Sequence, residues 1–179
     1  RVNKAGSRFD PEKAKWFNHH YLQLKSNNQL AIEFREILRP KGFHHDIVEL
    51  EKLVSLVKER VSFVKEIWKE SDFFFIPPES YDQAVIRKRW KADTPAQLME
   101  LRQILDDISD MSATVTEETV KAWITEKGYK TGDVMTALRL VIVGESRGPH
   151  IFDIIEWLGK EETLKRIERG VSVIGTSAL

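Results

Sequence analysis

Residues 137–169 read ALRLVIVGESRGPHIFDIIEWLGKEETLKRIER. The stretch opens on an apolar helical pattern, stops at a Gly/Ser/Arg/Gly/Pro turn and resumes as a second helical pattern. Val134, Leu138, Val141 and Ile142 recur three and four residues apart, which places them on one face of a helix expected near 133–143. Gly144 ends that helix, and two more are expected near 149–158 and 160–170, with Gly159 between them. Helix, tight bend and helix is the unit from which all-α proteins are assembled. Arg139 sits on the otherwise apolar first segment and Ile151 comes just after the bend, so the two flank the turn. Spacing alone gives Arg139 two uses: a binding surface, or a side chain that snorkels along the apolar face and pairs with Asp133 or Glu145.

The same punctuation extends to the N-terminal side. Asp10-Pro11-Glu12 is a cap, a first-position proline and an early acid, followed by Trp16, Phe17, His20, Tyr21 and Leu24 at helical spacing, so a helix is expected over 11–24. Ser26 and Asn27 cap a second helix carrying Leu30, Phe34, Ile37 and Leu38, which Pro40 and Gly42 stop. Asp46 caps a third. In it Ile47, Leu50, Val54, Val57, Val61, Val64 and Trp68 alternate steps of three and four, which predicts one helix of about six turns packed in a bundle rather than a coiled coil. Ser71–Pro78 reads SDFFFIPP, where three phenylalanines and two prolines are expected to leave the helix and form a buried aromatic plug. A short helix over Tyr81–Trp90 carries Arg87, Lys88 and Arg89, which with Lys91 make the densest basic run. Thr94-Pro95 opens a helix near 95–109, and Thr116 is expected to cap another near 117–127 that Gly128 ends. No segment alternates as a strand. The expected fold is all-α, a helical bundle of two subdomains, 1–91 and 92–179.

Composition narrows the chemistry. In 179 residues, 41% are hydrophobic and 31% charged, the balance of a folded globular protein rather than a disordered one. The absence of cysteine excludes disulfides and thiolate metal sites and fits a reducing compartment, so cytoplasm is expected. No apolar run approaches the roughly 18 residues of a membrane span, and RVNKAGSRFD has no signal-peptide core. Arginine at position 1 points to a piece of a longer protein. Lys+Arg and Asp+Glu both number 28, so any RNA binding has to rest on local groups rather than on net charge.

A self-contained active site is not legible. His19-His20, His44-His45 and His150 lack metal-ligand spacing, and Asp106, Asp107 and Asp110 lack the loop of an EF-hand, so no metal is expected. There is no Walker loop, GxGxxG or GxSxG. Gly144–Gly148 is glycine-flanked, but Glu145 stands where a phosphate needs amides and positive charge. Arg39, just before Pro40, has a simple use in neutralising helix carbonyls.

Two stretches far apart carry a resemblance. Leu138-Arg139, Gly144, Gly148-Pro149-His150-Ile151-Phe152 and Leu158-Gly159-Lys160-Glu161 match the pattern LR(x)3-4G, GPxLF and LGKExxLxRLER. Phe9, Asp10, Lys13, Trp16, Asn18, Tyr21 and Leu22 match FDxxKxxWxNxxYL. Both resemble the C-terminal, anticodon-binding region of bacterial-type glutamyl-tRNA synthetases, which are class I enzymes. Between them, Lys58-Glu59-Arg60 and Asp72-Phe73-Phe74-Phe75 are similar to the family's middle helix and aromatic bend, so the likeness covers nearly the whole chain.

The resemblance implies a helical cage that grips the anticodon loop of the glutamate tRNA. The parent enzyme would be a glutamate-tRNA ligase, joining glutamate to tRNA with ATP and Mg²⁺ in a catalytic domain bearing HIGH-like and KMSKS-like signatures. Neither signature is present here, so this stretch alone is expected to bind without catalysing, with no cofactor of its own. A monomer is expected, with tRNA as partner and no membrane or DNA. The family's anticodon contacts fall on Arg139, on Ile151 where leucine is usual, and, with one gap, on Arg39. Arg147 and Lys160, with Arg87, Lys88 and Lys165, are candidates for phosphate attraction. A guanidinium only donates, so it suits the O2 and N3 acceptors of cytosine and opposes the N1–H and N2–H donors of guanine. A glutamate anticodon ends in C and a glutamine anticodon in G, so such an arginine would discriminate between them. The alternative from another class is a helical protein-interaction module without an RNA role.

Overall fold

In the computed structural model, residues 10–177 are described; Phe9 of the first motif lies outside them. The chain divides into two compact units, Arg1–Ser71 and Asp72–Leu179. Every described element is helical, so the expected all-α class is what the chain forms.

In the first unit, local caps start the helices where the sequence places them. The Asp10 carboxylate accepts from the amides of Glu12 and Lys13 and opens α1, Pro11–Leu24. A capping box between Ser26 and Gln29 opens α2, Asn27–Leu38, and another between Asp46 and Glu49 opens α3, Ile47–Val57. Leu30, Phe34 and Leu38 of α2 pack with Leu50, Leu53 and Val57 of α3 in a hairpin from which water is excluded.

The expected continuous helix from Ile47 to Trp68 is broken. The chain tightens to a 3-10 turn at Lys58–Arg60, Val61 is extended (φ −118°, ψ 149°), and α4, Val64–Phe75, begins afresh. Side chains of α1 take the carbonyls that the break releases: Gln23 Nε2 donates to Lys58 O at 2.9 Å, and His19 Nδ1 bonds Val61 O at 2.9 Å. Lys58 Nζ in turn donates to Lys25 O at 2.6 Å. The Glu66 carboxylate accepts from the amides of Ser62 and Phe63 and restarts the helix. Val61 stays fully buried across the break, which is why the apolar spacing runs through it.

The phenylalanine run also departs from expectation, because α4 continues through Phe75 and the Ile76 amide still donates to Asp72 O. Pro77 and Pro78 lack donors and bias only the residues just before them, so they stop the helix after the aromatic turn rather than within it. Phe73 and Phe74 are buried, as a plug requires, and Phe75 partly so.

The second unit contains α5 (Gln83–Arg89), α6 (Thr94–Asp107), α7 (Ala113–Lys127), α8 (Thr131–Val143) and α9 (Ile151–Ser177). The division at 71/72 lies upstream of the 91/92 expected from the sequence. The basic run at the end of α5 belongs to the second unit, because Arg89 and Lys91 both pair with Asp133 on α8. Helix α7 starts a turn before the expected Thr116 cap. Thr116 is buried inside the helix with its hydroxyl donating to Ser112 O at 2.9 Å, while the Glu156 carboxylate of α9 accepts from the Ala113 amide at 2.7 Å. Helix α9 packs against α6, α7 and α8 and is broken at Gly159, whose φ of 72° and ψ of 176° interrupt the ladder and separate the two helices expected on either side of it.

Inside this unit lies a charge: Arg166 on α9 is 2% exposed. Its Nη1 donates to Phe73 O in the last turn of α4 at 2.6 Å and to Ile142 O in the last turn of α8 at 3.0 Å, and its Nε donates to Glu162 at 2.7 Å. Burial pulls the guanidinium pKa down, Glu162 opposes this, and arginine remains charged. Arg166→Ala would strand both carbonyls and remove the partner of Glu162. We expect a loss of about 3–5 kcal/mol, read as a Tm lower by roughly ten degrees or more in thermal unfolding monitored by circular dichroism.

Hydrogen bonding from Lys91, ahead of the charges of Lys91 and Arg89, holds the Asp133 carboxyl below its ordinary pKa. A depressed carboxylate contributes stability above its unfolded value, about 3.9, and loses it as pH falls through the lower folded value. Asp133→Asn should therefore be less stable than the parent at pH 7 and differ less from it at pH 2, measured by urea unfolding at both.

Candidate nucleic-acid interface

The turn 144–150 is built from both sides. Helix α8 ends at Val143, and Gly144 O accepts from the Asp82 amide at 2.9 Å, anchoring the start of the turn to the segment before α5. Arg139, one turn back on α8, organises the rest: Nη1 donates to Arg147 O at 3.0 Å and Nη2 to Pro149 O at 2.8 Å. Gly148 between those carbonyls has a φ of 105°, and a Cβ there would lie 3.0 Å from Phe73 Cζ. Only glycine combines that backbone with that approach.

The Arg147 side chain crosses the same aromatic. Its guanidinium carbon lies 5.4 Å from the Phe73 ring centroid, with Asp72 at 2.9 Å and Glu145 at 3.0 Å. Burial is the largest influence on this group and lowers its pKa, but the hydrogen bonds to Asp72 and Glu145 and the charges of the two carboxylates together outweigh it and raise it. The turn therefore carries two part-buried arginines, Arg147 over the Phe73 ring and paired with two carboxylates, and Arg139 held by two carbonyls of the turn, the planar donor groups that suit bases or phosphates.

Of the five residues singled out in the sequence, Arg139, Arg147 and Ile151 come together at the turn. Arg139 is partly exposed, whereas Ile151, the first residue of α9, is 2% exposed and packs in the core. Lys160 lies just past the kink of α9 and donates to Asp106 O at 2.6 Å, neutralising the C-terminal end of α6. One turn earlier Glu156 caps α7, so these two side chains clamp both ends of the α6–α7 connection. Arg39 belongs to the first unit, where its exposed side chain pairs with Glu36 at 2.9 Å. Among the other basic candidates, Arg87 and Lys88 are exposed in the last turn of α5, and Lys165 pairs with Glu161.

Asp72, Phe73 and Arg166 also build this surface, and sequence reasoning does not single them out. Asp72 and Phe73 are legible only as part of an aromatic run. Arg166 carries one signal, an arginine between the apolar Leu164 and Ile167 with Glu162 four residues earlier, which is the pattern of a buried paired cation. Among the described residues no group of three or more His, Asp or Glu side chains is placed to hold a metal, and no helix is long and apolar enough to cross a membrane.

A helical fold with two compact units and an arginine-bearing, aromatic-backed turn in the second defines the class: an all-α module with a preformed polar turn on its surface. The chain belongs to the anticodon binding domain family, whose model matches residues 28–171. It is 51% identical over 175 residues to the glutamate-tRNA ligase of Porphyromonas gingivalis, covering 98% of this chain and 35% of that protein. It is 47% identical over 174 residues to the glutamate-tRNA ligase of Phocaeicola vulgatus, covering 97% and 34%. A crystal structure of a glutamate tRNA ligase from Elizabethkingia meningosepticum superposes with a TM-score of 0.90 at 39% identity, over 96% of this chain and 34% of that one. The chain thus spans about a third of the length of the curated relatives it matches.

Gly148→Ala tests the construction of the turn. The added Cβ forces either the positive φ or the Phe73 contact to give, at a cost of about 1–2 kcal/mol. It should reduce protection of the 144–150 amides in hydrogen exchange while leaving the protection of α2 and α3 in the first unit unchanged.

Proposed function

We propose that this chain binds the anticodon loop of a glutamate-accepting tRNA, as one part of a glutamate-tRNA ligase. The observation that carries the proposal is the match of an anticodon-binding family to most of the chain, together with relatives named glutamate-tRNA ligase that align along nearly all of it. The arginine-bearing turn supports it: we assign Arg139 the base contact that the motif resemblance implies, and its guanidinium is oriented by two carbonyls. Coupling of glutamate to tRNA, with ATP and Mg²⁺, belongs to the part of the ligase that carries the class I signatures and is assigned to no residue here. We take the ligase to act as a monomer in the cytoplasm.

Reading by Arg139 works through donors alone. A cytosine presents O2 and N3 to the guanidinium, whereas a guanine at the same place presents N1–H and N2–H and leaves two donors facing two donors. A good contact of this kind is worth about 1–3 kcal/mol, or about tenfold to a hundredfold in affinity. Arg147 adds attraction for phosphate that weakens with salt. Ile151 then acts from beneath, as part of the core that fixes the start of α9.

Titrating the chain with a glutamate anticodon stem-loop and with the same loop ending in G tests this reading. We expect the C-ending loop to bind at least about tenfold more tightly, and Arg139→Gln to abolish the preference while the fold is retained by circular dichroism. Equal affinity for the two loops in the parent chain would overturn the assignment of Arg139.

A further inference from the structure

Arg147 carries more counter-charge than its own charge requires. Its Nη2 lies 2.9 Å from Asp72 and its Nε 3.0 Å from Glu145, so one guanidinium faces two carboxylates and the three side chains together are negative. The two carboxylates are not equivalent. Asp72 belongs to α4, next to the buried Phe73 over whose ring the guanidinium lies, and it ties the arginine to that support. Glu145 belongs to the turn itself, two residues before Arg147, and half of its side chain is exposed. The fold has little use for it. An exposed ion pair stabilises only slightly, and the bend is already set by the positive φ of Gly144 and Gly148 and by the bonds that Asp82 and Arg139 make to the turn. What Glu145 does is occupy a donor edge. A carboxylate offers a guanidinium what a phosphate offers it, a pair of anionic oxygens.

We propose that Glu145 is a built-in competitor for the RNA phosphate that Arg147 takes, and that it limits how tightly RNA of any sequence is held at the turn. The inference rests on the reading of the turn as an anticodon-loop surface and names a specificity determinant within it. A phosphate that approaches Arg147 along Nε has to displace the Glu145 carboxylate first. Asp72 and Glu145 together cancel the charges of Arg139 and Arg147, so these four side chains sum to zero. Sequence-independent attraction follows charge, because it grows with the number of phosphates that are neutralised. The base contact assigned to Arg139 follows instead the direction of its N–H groups, which the carbonyls of Arg147 and Pro149 set. Glu145 thus holds down the part of the affinity that every RNA shares and leaves the base-dependent part to Arg139. That separation counts wherever one cognate site competes with many others.

Fluorescence-anisotropy titrations over a series of salt concentrations test the proposal. The proteins are the 179-residue chain, Glu145→Gln, Arg147→Gln and the double variant, each checked for its fold by circular dichroism. The probes are the C-ending glutamate anticodon stem-loop and a stem-loop of the same length whose loop is all adenine. We expect Glu145→Gln to bind both probes about fivefold more tightly at low salt, the upper end for release of an exposed pair. The slope of log affinity against log salt should steepen by about 0.7, one phosphate's worth on a single strand. Added to Arg147→Gln, the same substitution should change affinity by less than about twofold. Unchanged affinity and slope in Glu145→Gln would overturn the proposal. So would weaker binding, which would make Glu145 a brace of the turn, and so would a full gain that persists without Arg147, which would make the effect one of overall charge. The comparison of C-ending and G-ending loops is read separately. Equal affinity there with the gain in Glu145→Gln intact faults the assignment of Arg139 alone, and a retained preference without the gain faults Glu145 alone. Absence of RNA binding in the parent and in Glu145→Gln alike overturns the functional reading and this inference with it.

Discussion

The second unit depends on one buried guanidinium. Two helices, α4 and α8, end against α9, and each leaves carbonyls in its last turn without an intrahelical donor. Arg166 takes one from each, Phe73 O and Ile142 O, from a position 2% exposed. A lysine would bring the same charge without the planar fork that lets Nη1 and Nε face different partners at once. Glu162, on the next turn and partly open to solvent, keeps the buried charge from standing alone.

This bond has consequences at the surface. By fixing Phe73, Arg166 fixes the ring against which Gly148 closes and over which Arg147 lies. By fixing Ile142 near the end of α8, it fixes the helix from which Arg139 reaches the carbonyls of the turn. The arginines at the turn are therefore positioned by the core rather than by each other. Sub-ångström placement of a donor pair is what separates reading a base from merely attracting a phosphate.

Helix starts are legible in the sequence because a cap is local. Asp10, Ser26 and Asp46 each do what their type and spacing demand. The interruption at 58–63 is not, since Val61 and Val64 keep the apolar step across it and the partners that justify the break, His19 and Gln23, lie some forty residues away in sequence. Thr116 fails as a cap for a similar reason: the amide that needs a cap, Ala113 N, is served by Glu156 from a distant helix. At the site, motif order locates the turn and Arg139. Burial is a property of the assembled unit, so the enclosure of Ile151 cannot be read from spacing, and that of Arg166 is signalled only by its apolar neighbours and Glu162 four residues earlier.

The charge balance takes on a sharper meaning once the pairs are known. Arg147 is matched by Asp72 and Glu145, Arg89 and Lys91 by Asp133, Arg39 by Glu36, and Lys160 by a helix carbonyl. At each of these positions an approaching polyanion meets a cation that already has a partner, and it gains only the difference between a phosphate and the group it displaces. Cations paired in this way attract a polyanion weakly through charge alone. On the proposed reading, discrimination then comes from hydrogen-bond geometry at fixed donors. Arg139, whose guanidinium is oriented by the carbonyls of Arg147 and Pro149, is the donor whose placement the turn and the core beneath it determine.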